Sequence, residues 1–291
     1  MILPGQYGAG HQVRLLSGAY NYTKKQSGKS TLEVIWPEHL WEAEGKKAFQ
    51  DQEESFQYQT DYLLRFMPKR MFDLQHKVVD TKLWENESYH FRSCLFVGSP
   101  ERQSKTKKIR YDCCKTVKFK NFYERKKGNI TLFRDTFINH DNKKIKKVGH
   151  HLIKNLHAGK RPLSYNDWGV YIEFLKKYFN VTEIEYRTPI SEVMYHLSTC
   201  EFAIGYSGMW SMHANALRTP KISLVNPKSF ARNVRPHINR PDEKQLISQG
   251  INDENSLDVA NYELEELLNI DLLRNLINKA KEVNANIMYR D

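Results

Sequence analysis

Apolar residues along the chain follow two spacings, and their alternation predicts strands and helices in turn. At the start, residues 2–3 form a short apolar run, and Val13, Leu16 and Ala19 recur at helical spacing after a glycine-rich turn. Residues 31–36 then alternate between apolar and polar side chains, as a half-buried strand does. The start of the chain therefore predicts a strand, a helix and a second strand.

The rest of the first half continues with less regular patterns. Residues 52–66 predict a helix, and residues 93–97 predict a further strand. Lysines alternate with apolar residues between residues 115 and 120, which predicts a strand with one face in water. Gly128 then interrupts the pattern.

The second half repeats the alternation of strands and helices. It predicts strands at 130–133, 182–186, 202–204 and 221–225, and helices at 167–179, 189–197, 209–217 and 264–283, with Thr188 or Ser191 capping the second helix. Both halves therefore predict an α/β protein with parallel sheets.

The length of the chain suggests two domains. At 291 residues it exceeds a typical single domain, and two domains of roughly 100–150 residues are the default expectation. Because the pattern breaks at Gly128, we expect an N-terminal domain over residues 1–128 and a C-terminal domain over residues 129–291. The final helix is a candidate to cross back to the first domain.

The composition is that of a folded protein with excess positive charge. Hydrophobic residues make up 40% and charged residues 27% of the chain. Lys and Arg number 45 against 34 acids, a formal net charge of +11, which favours polyanionic partners. No apolar run approaches the ~20 residues of a membrane helix, and the four cysteines show no metal-site spacing. We therefore expect a cytoplasmic protein with no transmembrane segment and with reduced thiols.

Two stretches concentrate the positive charge. Residues 102–127 hold eleven lysines and arginines, two acids and several aromatic residues, and residues 143–161 are rich in lysine and histidine. One interpretation is a solvated strand face that lysines protect from aggregation. The other is a surface for DNA or another phosphate-rich partner. The pattern alone leaves both open.

The segment AIGYSGMWSMHANALRTPKISLV, residues 203–225, gives the clearest indication of chemistry. It predicts a buried strand, a Gly-Tyr-Ser-Gly turn and a helix. The first N–H groups of a helix have no partner within it, and the helix dipole adds partial positive charge there. The N–H groups of Ser207, Gly208 and Met209 therefore predict an anion site.

This segment resembles the C-terminal signature of GT-B fold glycosyltransferases, above all those of the heptosyltransferase type. In that signature a strand leads to an acid, a Ser or Thr and a Gly, and the next helix carries a His, an Ala and a Leu. Tyr206 stands here in place of the acid, and the matching residues are Cys200, Glu201, Gly205, Ser207, Gly208, His213, Ala214, Leu217 and Pro220. The resemblance covers the first 36 residues and residues 130–225. It implies two Rossmann-like domains that face a central cleft.

The same resemblance implies roles for residues away from that turn. Lys160 or Arg161 precedes a Trp-bearing helix and would reach the donor phosphates. Gly8 and Gly10 would form the turn that aims at the acceptor. His11 follows that turn, where heptosyltransferases have an Asp, and is the candidate general base. Its alternative role is only to order the turn.

Three more residues are candidate donor contacts, each with a structural alternative. His213 would bind the donor phosphate or sugar, or it would pack beneath the turn. Arg187 and Thr188 would border the nucleotide base, or they would only cap the following helix.

Together these residues predict a metal-independent glycosyltransferase that moves a sugar from a nucleotide sugar to a hydroxyl group. Fixed N–H donors stabilise the charge that grows on the leaving diphosphate, and no Asp-x-Asp pair is present to bind a metal. No cofactor besides the donor substrate is expected.

The acceptor is less constrained than the donor. The leading hypothesis is a hydroxymethylated base in bacteriophage DNA, which would be flipped out of the duplex toward a cationic surface. The alternative acceptor is a lipopolysaccharide-type surface saccharide. A nucleotide-sugar epimerase and a non-catalytic nucleic-acid-binding module are the alternatives to a transferase.

Overall fold

The computed structural model describes part of the chain, and the structural statements below concern that part. The chain divides into two compact units, Met1–Lys120 and Asn121–Asp291. The described residues are 2–3, 9–25, 32–37, 56–68, 72–80, 82–83, 116–133, 163, 165–184, 188–206, 209–224, 244–247, 256–259 and 262–288.

The first unit contains a small parallel sheet. Its elements are α1 (Ala9–Lys25), β1 (Leu32–Pro37), α2 (Phe56–Leu64) and β2 (Phe72–Lys77). Strand β1 pairs in parallel with β2, and Ile2 forms a parallel bridge to Ile35. The predicted helix and second strand are therefore confirmed, the first predicted strand is reduced to a single bridge at Ile2, and β2 was not predicted.

The apolar stripe of α1 explains why this helix forms. Val13, Leu16 and Ala19 recur at helical spacing and are fully buried. Polar groups on the same helix also hold the chain: the Ser17 hydroxyl accepts a hydrogen bond from the Val117 N–H at 3.0 Å. The Gln12 amide bonds to Gln59 of α2 at 3.2 Å.

The strand predicted at residues 115–120 is wrong for the part that the structure describes. Residues 116–120 form no ladder with any described strand. Val117 and Phe119 are nevertheless buried, while Lys120 is exposed. The alternation therefore reflects the burial of alternate side chains in this segment. Two backbone hydrogen bonds hold the segment in place: the Val117 N–H donates to the Ser17 hydroxyl, and the Lys120 N–H donates to the Phe66 carbonyl.

The second unit is a six-stranded, mostly parallel sheet with helices. The described strands run in the order β4-β3-β5-β6-β8-β7, and only β7 is antiparallel to its neighbour. In chain order the elements are β3 (Lys126–Phe133), α3 (Tyr165–Lys176), β4 (Asn180–Ile184), α4 (Ile190–Thr199), β5 (Cys200–Tyr206), α5 (Met209–Ala216), β6 (Lys221–Leu224), β7 (Gln245–Ile247), β8 (Ser256–Val259), α6 (Leu264–Leu267) and α7 (Ile270–Met288).

One face of this sheet is apolar along its four central strands, and polar residues enter it only on the outer strands of the described sheet, where Glu183 pairs with Leu132 and Gln245 pairs with Val259. Paired residues of parallel strands share a face, and successive residues alternate between faces. The residues of this face pack with Trp168, Tyr171 and Leu175 of α3 and with α6 and α7 into the main core. They are Ile130 and Leu132, Phe202 and Ile204, Ile222 and Leu224, and Leu257 and Val259.

The opposite face carries small and polar residues. Thr131 pairs with Ala203, and Ala203 pairs with Lys221. Two residues further along the strands, on the same face, Gly205 pairs with Ser223, and Ser223 pairs with Asp258. Helices α4 and α5 cover this face: the Thr131 hydroxyl donates to the His196 carbonyl at 3.1 Å, and the Lys221 ammonium donates to the Ser211 carbonyl at 3.4 Å.

The domain limits and the final helix differ in detail from the expectation. Residues 121–128 lie with the second unit, because Asn121 and Arg125 bond to carbonyls at the end of α4. Helix α7 packs on β6 and β8 of its own unit. The single helix predicted over 264–283 is divided into α6 and α7, because the Asn269 side chain caps α7 by accepting the N–H groups of Asp271 and Leu272.

Three smaller predictions also need correction or lie outside the described residues. Gly128 does not end a strand but lies inside β3, where φ is +82° and the register with β5 shifts. Neither Thr188 nor Ser191 is the N-cap of α4, because Pro189 holds that position without a side-chain cap. The short strands β7 and β8 were missed, and the strand predicted at 93–97 lies outside the described residues.

Candidate functional site

The order of the strands locates the candidate site. From β3 the chain passes to β4 on one side, and from β4 it crosses to β5 on the other side of β3. In open parallel sheets, ligands bind beyond the carboxyl ends of the strands where the order reverses in this way. We call this place the switch edge: Phe133 at the end of β3, Gly205 and Tyr206 at the end of β5, and the start of α5 at Met209.

The backbones of β3 and β5 come close together at the switch edge. Phe133 and Gly205 are register partners. A Cβ atom on Gly205 would lie 2.4 Å from the Phe133 carbonyl oxygen and 2.6 Å from the Phe133 Cβ. Only a residue without a side chain fits this contact. The glycine of the quoted motif therefore has a packing role that its sequence position alone did not reveal.

Helix α5 begins three residues after β5 ends, which places its N-terminal N–H groups at the switch edge. Trp210, the second residue of α5, is 3% exposed. Its indole Nε1–H is buried and donates no hydrogen bond to the described part of the chain. Trp nitrogen is a donor only, and a buried donor of this kind calls for an acceptor.

His213 lies one turn further along α5 and is fully buried. Its ring centroid is 5.2 Å from that of Trp210, with the planes tilted by 60°. Its carbonyl accepts the Leu217 N–H at 2.9 Å, so its backbone belongs to the regular helix. The structure places the imidazole inside the fold behind the switch edge, and contact with a donor stays a prediction.

Arg125 joins the far ends of the two helices that cover the polar face. Its guanidinium donates to the Leu197 and Cys200 carbonyls, at 3.2 and 3.0 Å, where α4 ends. It also donates at 3.0 to 3.3 Å to acceptors beyond α5, namely the Leu217 and Arg218 carbonyls and the Thr219 hydroxyl. The planar fork of arginine suits such a divergent set of acceptors. Arg125 thereby fixes α4 against α5.

The acceptors of Arg125 are also electrostatically suited to a cation. Carbonyls at helix C-termini carry partial negative charge, and two helices end here. Burial lowers the pKa of the Arg125 guanidinium, and Cys200 opposes this shift, yet arginine remains charged at neutral pH. Burial likewise raises the pKa of the Cys200 thiol to about 11, so this cysteine is neutral and unreactive at neutral pH.

Helix α5 ends in a left-handed turn that supplies one of these acceptors. Arg218 has φ +54°, and the Thr219 N–H bonds to the Ala214 carbonyl, the pattern of a Schellman motif. The Arg218 carbonyl also accepts from the Asn284 side chain of α7 at 2.9 Å. The position of α5 is therefore fixed at its C-terminal end by contacts from two other segments.

Glu201 forms a separate charged cluster at the start of β5. It accepts the Gly128 N–H at 2.6 Å and pairs with Lys281 of α7. Burial alone would raise the pKa of Glu201. The Gly128 hydrogen bond, the Lys281 hydrogen bond and charge, and the charge of Lys127 outweigh burial and lower the pKa below its ordinary value. This cluster ties β3, β5 and α7 together.

The residues predicted for the acceptor side are placed only in part. Gly10 and His11 are the second and third residues of α1, so Gly10 lies in the first helical turn and not in the loop before it. The side chain of His11 lies outside the described residues, as does Gly8. The role of His11 as base stays a prediction.

Most residues predicted for the donor side also fall outside the described ranges. Ser207, Gly208, Lys160, Arg161 and Arg187 lie outside them. Three of the predicted donor-side residues lie in the described ranges. Met209 begins α5, but its side chain is not described. Thr188 is partly exposed just before α4, and His213 is buried.

Two residues with clear structural roles were missed at the sequence level, Arg125 and Lys221, and Glu201 was noted only as part of the glycosyltransferase-like motif. Arg125 was counted among the charges of residues 102–127, and nothing in the sequence distinguished it from Arg102 and Arg110. By contrast, the alternation of Lys221, Ile222, Ser223 and Leu224 showed that one face of β6 is polar.

Comparison with known proteins gives no relative: no family model, curated protein or solved structure matches the chain. No helix in the described ranges is both long and apolar enough to span a bilayer. Among the residues that the structure describes, no group of three His, Cys, Asp or Glu side chains is arranged to hold a metal ion.

Proposed function

We propose that the protein is a metal-independent glycosyltransferase of the two-domain GT-B type, which transfers a sugar from a nucleotide-sugar donor to a hydroxyl group. The observation that carries the proposal is the coincidence of two independent features. The strand order reverses between β3 and β5, and the glycosyltransferase-like segment, residues 203–225, runs from the end of β5 into helix α5, which starts at Met209. The donor diphosphate is assigned to this edge.

The chemistry at the switch edge follows from fixed donors. As the glycosidic bond breaks, negative charge grows on the leaving diphosphate. Backbone N–H groups at the start of α5 are oriented before the reaction and stabilise that charge without reorganisation. The Trp210 indole N–H is a further donor in the same helical turn. Lys160 or Arg161 is proposed to add a cation.

The acceptor hydroxyl must lose its proton as it attacks. His11 is the proposed general base, because an imidazole titrates near neutral pH. The leading acceptor is a hydroxymethylated base in DNA, which the net charge of +11 favours. A surface saccharide of the lipopolysaccharide type is the second acceptor, and the protein is proposed to act in the cytoplasm.

The direct test is product analysis. The protein is incubated with a panel of nucleotide sugars and either hydroxymethylcytosine-containing DNA or a lipopolysaccharide-core acceptor, and the products are analysed by mass spectrometry. A mass increase of one hexose or heptose on either acceptor supports transfer. Conversion of the free donor without an acceptor would identify an epimerase, and no change with any donor contradicts the proposal.

A binding experiment tests the switch edge separately from turnover. Trp210→Phe removes the indole donor but keeps an aromatic ring, and is expected to weaken nucleoside diphosphate binding about 5- to 10-fold. Trp168→Phe, which changes a buried Trp of α3 in the core, is the matched control and should bind normally. Equal calorimetric affinities of wild type and Trp210→Phe would remove Trp210 from the site, and absence of any binding by wild type would remove the site itself.

A further inference from the structure

Three aromatic side chains of the second unit are exposed, two of them in contact with each other and the third adjacent in sequence. Phe122 is 60%, Tyr123 is 40% and Tyr195 is 39% exposed. Phe122 and Tyr123 precede β3, and Tyr195 belongs to α4. The rings of Tyr123 and Tyr195 meet edge to face, with centroids 5.3 Å apart. We call these three residues the aromatic platform.

The segment that presents the platform is held firmly at both ends. The Asn121 side chain accepts the Tyr123 N–H at 3.1 Å and donates to the Ser198 carbonyl at 3.0 Å. Two residues after Tyr123, Arg125 makes its five hydrogen bonds to the ends of α4 and α5. The rings are therefore preorganised, which reduces the entropy that binding a partner would cost.

The charge around the platform favours an anionic partner. At the start of the second unit, residues 121–127 hold three basic residues, Arg125, Lys126 and Lys127, against one acid, Glu124. Arg125 is committed to carbonyl groups, but Lys126 and Lys127 follow the rings and are exposed. The exposed acids nearest in sequence are Glu124 and Glu192, one beside each Tyr-bearing segment. Aromatic faces next to excess positive charge match a partner that offers both bases and phosphates.

The platform is separate from the switch edge. Tyr123 lies before the amino end of β3, and Tyr195 lies in the second half of α4, which ends where β5 begins. Both therefore belong to the amino edge of the sheet, whereas Met209 starts α5 beyond the carboxyl ends of the strands. A ligand on the platform is not the donor bound at the switch edge.

We propose that Tyr123, Tyr195 and Phe122 form a stacking surface for single-stranded nucleic acid at the amino edge of the second sheet, with Lys126 and Lys127 contacting phosphates. Unpaired bases expose the faces that stack on tyrosine and phenylalanine, whereas duplex bases do not. This surface goes beyond the proposed sugar transfer and does not depend on it.

The test measures binding of a fluorescein-labelled oligothymidylate by fluorescence anisotropy at low salt, without any nucleotide sugar. The double variant Tyr123→Ala, Tyr195→Ala is expected to bind about 10- to 100-fold more weakly than wild type. The double variant with Phe at both positions keeps the rings and should bind within about 3-fold of wild type. Lys126→Gln with Lys127→Gln should reduce the salt dependence.

The control is Tyr178→Ala, which removes an equally exposed tyrosine, 49% accessible, at the end of α3. It should bind like wild type, and thermal unfolding should show that every variant is folded. Four outcomes would each overturn the proposal. Wild type fails to bind, or the double Ala variant binds as tightly as wild type. Alternatively, Tyr178→Ala loses as much affinity as the double Ala variant, or wild type prefers duplex DNA. None of these outcomes bears on donor binding, so sugar transfer is tested independently.

Discussion

The two faces of the second sheet are built from the same strands but differ in chemistry. On one face the central strands present only apolar residues, and Ile130, Leu132, Phe202 and Ile204 pack there against α3 and α7. On the other, Thr131, Lys221, Ser223 and Asp258 are almost as deeply buried. A parallel sheet between two helical layers is normally apolar on both faces, so the polar face needs a separate explanation.

The two faces contribute differently: one mainly stabilises the fold, and the other fixes the positions of helices. The apolar face contributes burial, which is strong and non-directional. The polar face uses hydrogen bonds of defined geometry, such as Thr131 to the His196 carbonyl and Lys221 to the Ser211 carbonyl, and these fix helices rather than add much free energy. Those helices are α4 and α5, and α5 starts at the switch edge. The apolar face therefore mainly stabilises the second unit, whereas the polar face fixes the positions of α4 and α5.

The largest effect is expected on the apolar face. Phe202 is fully buried and meets Phe179 edge to face, with centroids 5.5 Å apart. Phe202→Ala should lower the free energy of unfolding by about 3–5 kcal/mol, because it removes transfer free energy and leaves a cavity. Urea unfolding measures this loss.

The matched change on the polar face is Thr131→Ala, which removes one hydrogen bond and should cost about 1 kcal/mol. If Thr131→Ala proved as destabilising as Phe202→Ala, the division of roles between the two faces would be wrong.

The second effect concerns the arginine that fixes the helices of the polar face. Arg125→Met keeps the aliphatic stem but removes five donors and the charge at two helix ends, and should cost about 3 kcal/mol. Arg125→Lys should recover part of this loss, because an ammonium keeps the charge but cannot fork.

The control for Arg125 is Lys126→Met, a change at the exposed neighbouring residue, for which less than about 0.5 kcal/mol is expected. Equal stabilities of Arg125→Met and Lys126→Met in urea would show that the hydrogen bonds of Arg125 are not important.

The spacing of apolar residues predicted those helices and strands whose own sequence shows which side chains are buried. The α1 helix, β1, β3 and α5 were expected from their own spacing and are confirmed. Strands β7 and β8, with three and four residues, were missed because they depend on pairing: β8 pairs with β6, and β7 pairs with β8. The alternation at residues 115–120 predicted the burial of Val117 and Phe119 correctly but the wrong secondary structure, because none of the described strands pairs with residues 116–120.

The candidate site was predictable where local sequence determines it. The start of α5 follows from the turn and the helical composition after it. The fork of Arg125 could not be predicted, because its acceptors lie 72 to 94 residues away. The close contact of Gly205 with Phe133 is equally a product of strand pairing and not of the glycine motif itself.

The third effect tests the close approach at the switch edge. Gly205→Ala places a Cβ 2.4 Å from the Phe133 carbonyl oxygen, so the two strands must move apart. We expect a loss of about 2 kcal/mol from overpacking, together with weaker nucleoside diphosphate binding, because β5 leads to the start of α5.

Gly169→Ala in α3 is the control for Gly205. Its Cβ would meet nothing within 4 Å, and alanine favours helix, so this variant should gain about 0.5–1 kcal/mol. If both substitutions shifted the melting temperature in the same direction, the contact between β3 and β5 would not be as tight as described.

The smallest effect is a pH dependence at Glu201. Its folded-state pKa is lowered, so the stability it contributes is fully present above the unfolded-state value near 4.5 and is lost as the pH falls through the lower folded-state value. Glu201→Gln should therefore cost about 1 kcal/mol at neutral pH and flatten the decline in unfolding free energy below about pH 4.5. Glu173→Gln, which disrupts an exposed pair with Lys176 on α3, should leave the profile unchanged. If the unfolding free energies of wild type and Glu201→Gln fell in parallel with decreasing pH, the cluster of Glu201, Gly128 and Lys281 would not hold the amino edge of the sheet together. Arg125 would then fix this edge without that cluster.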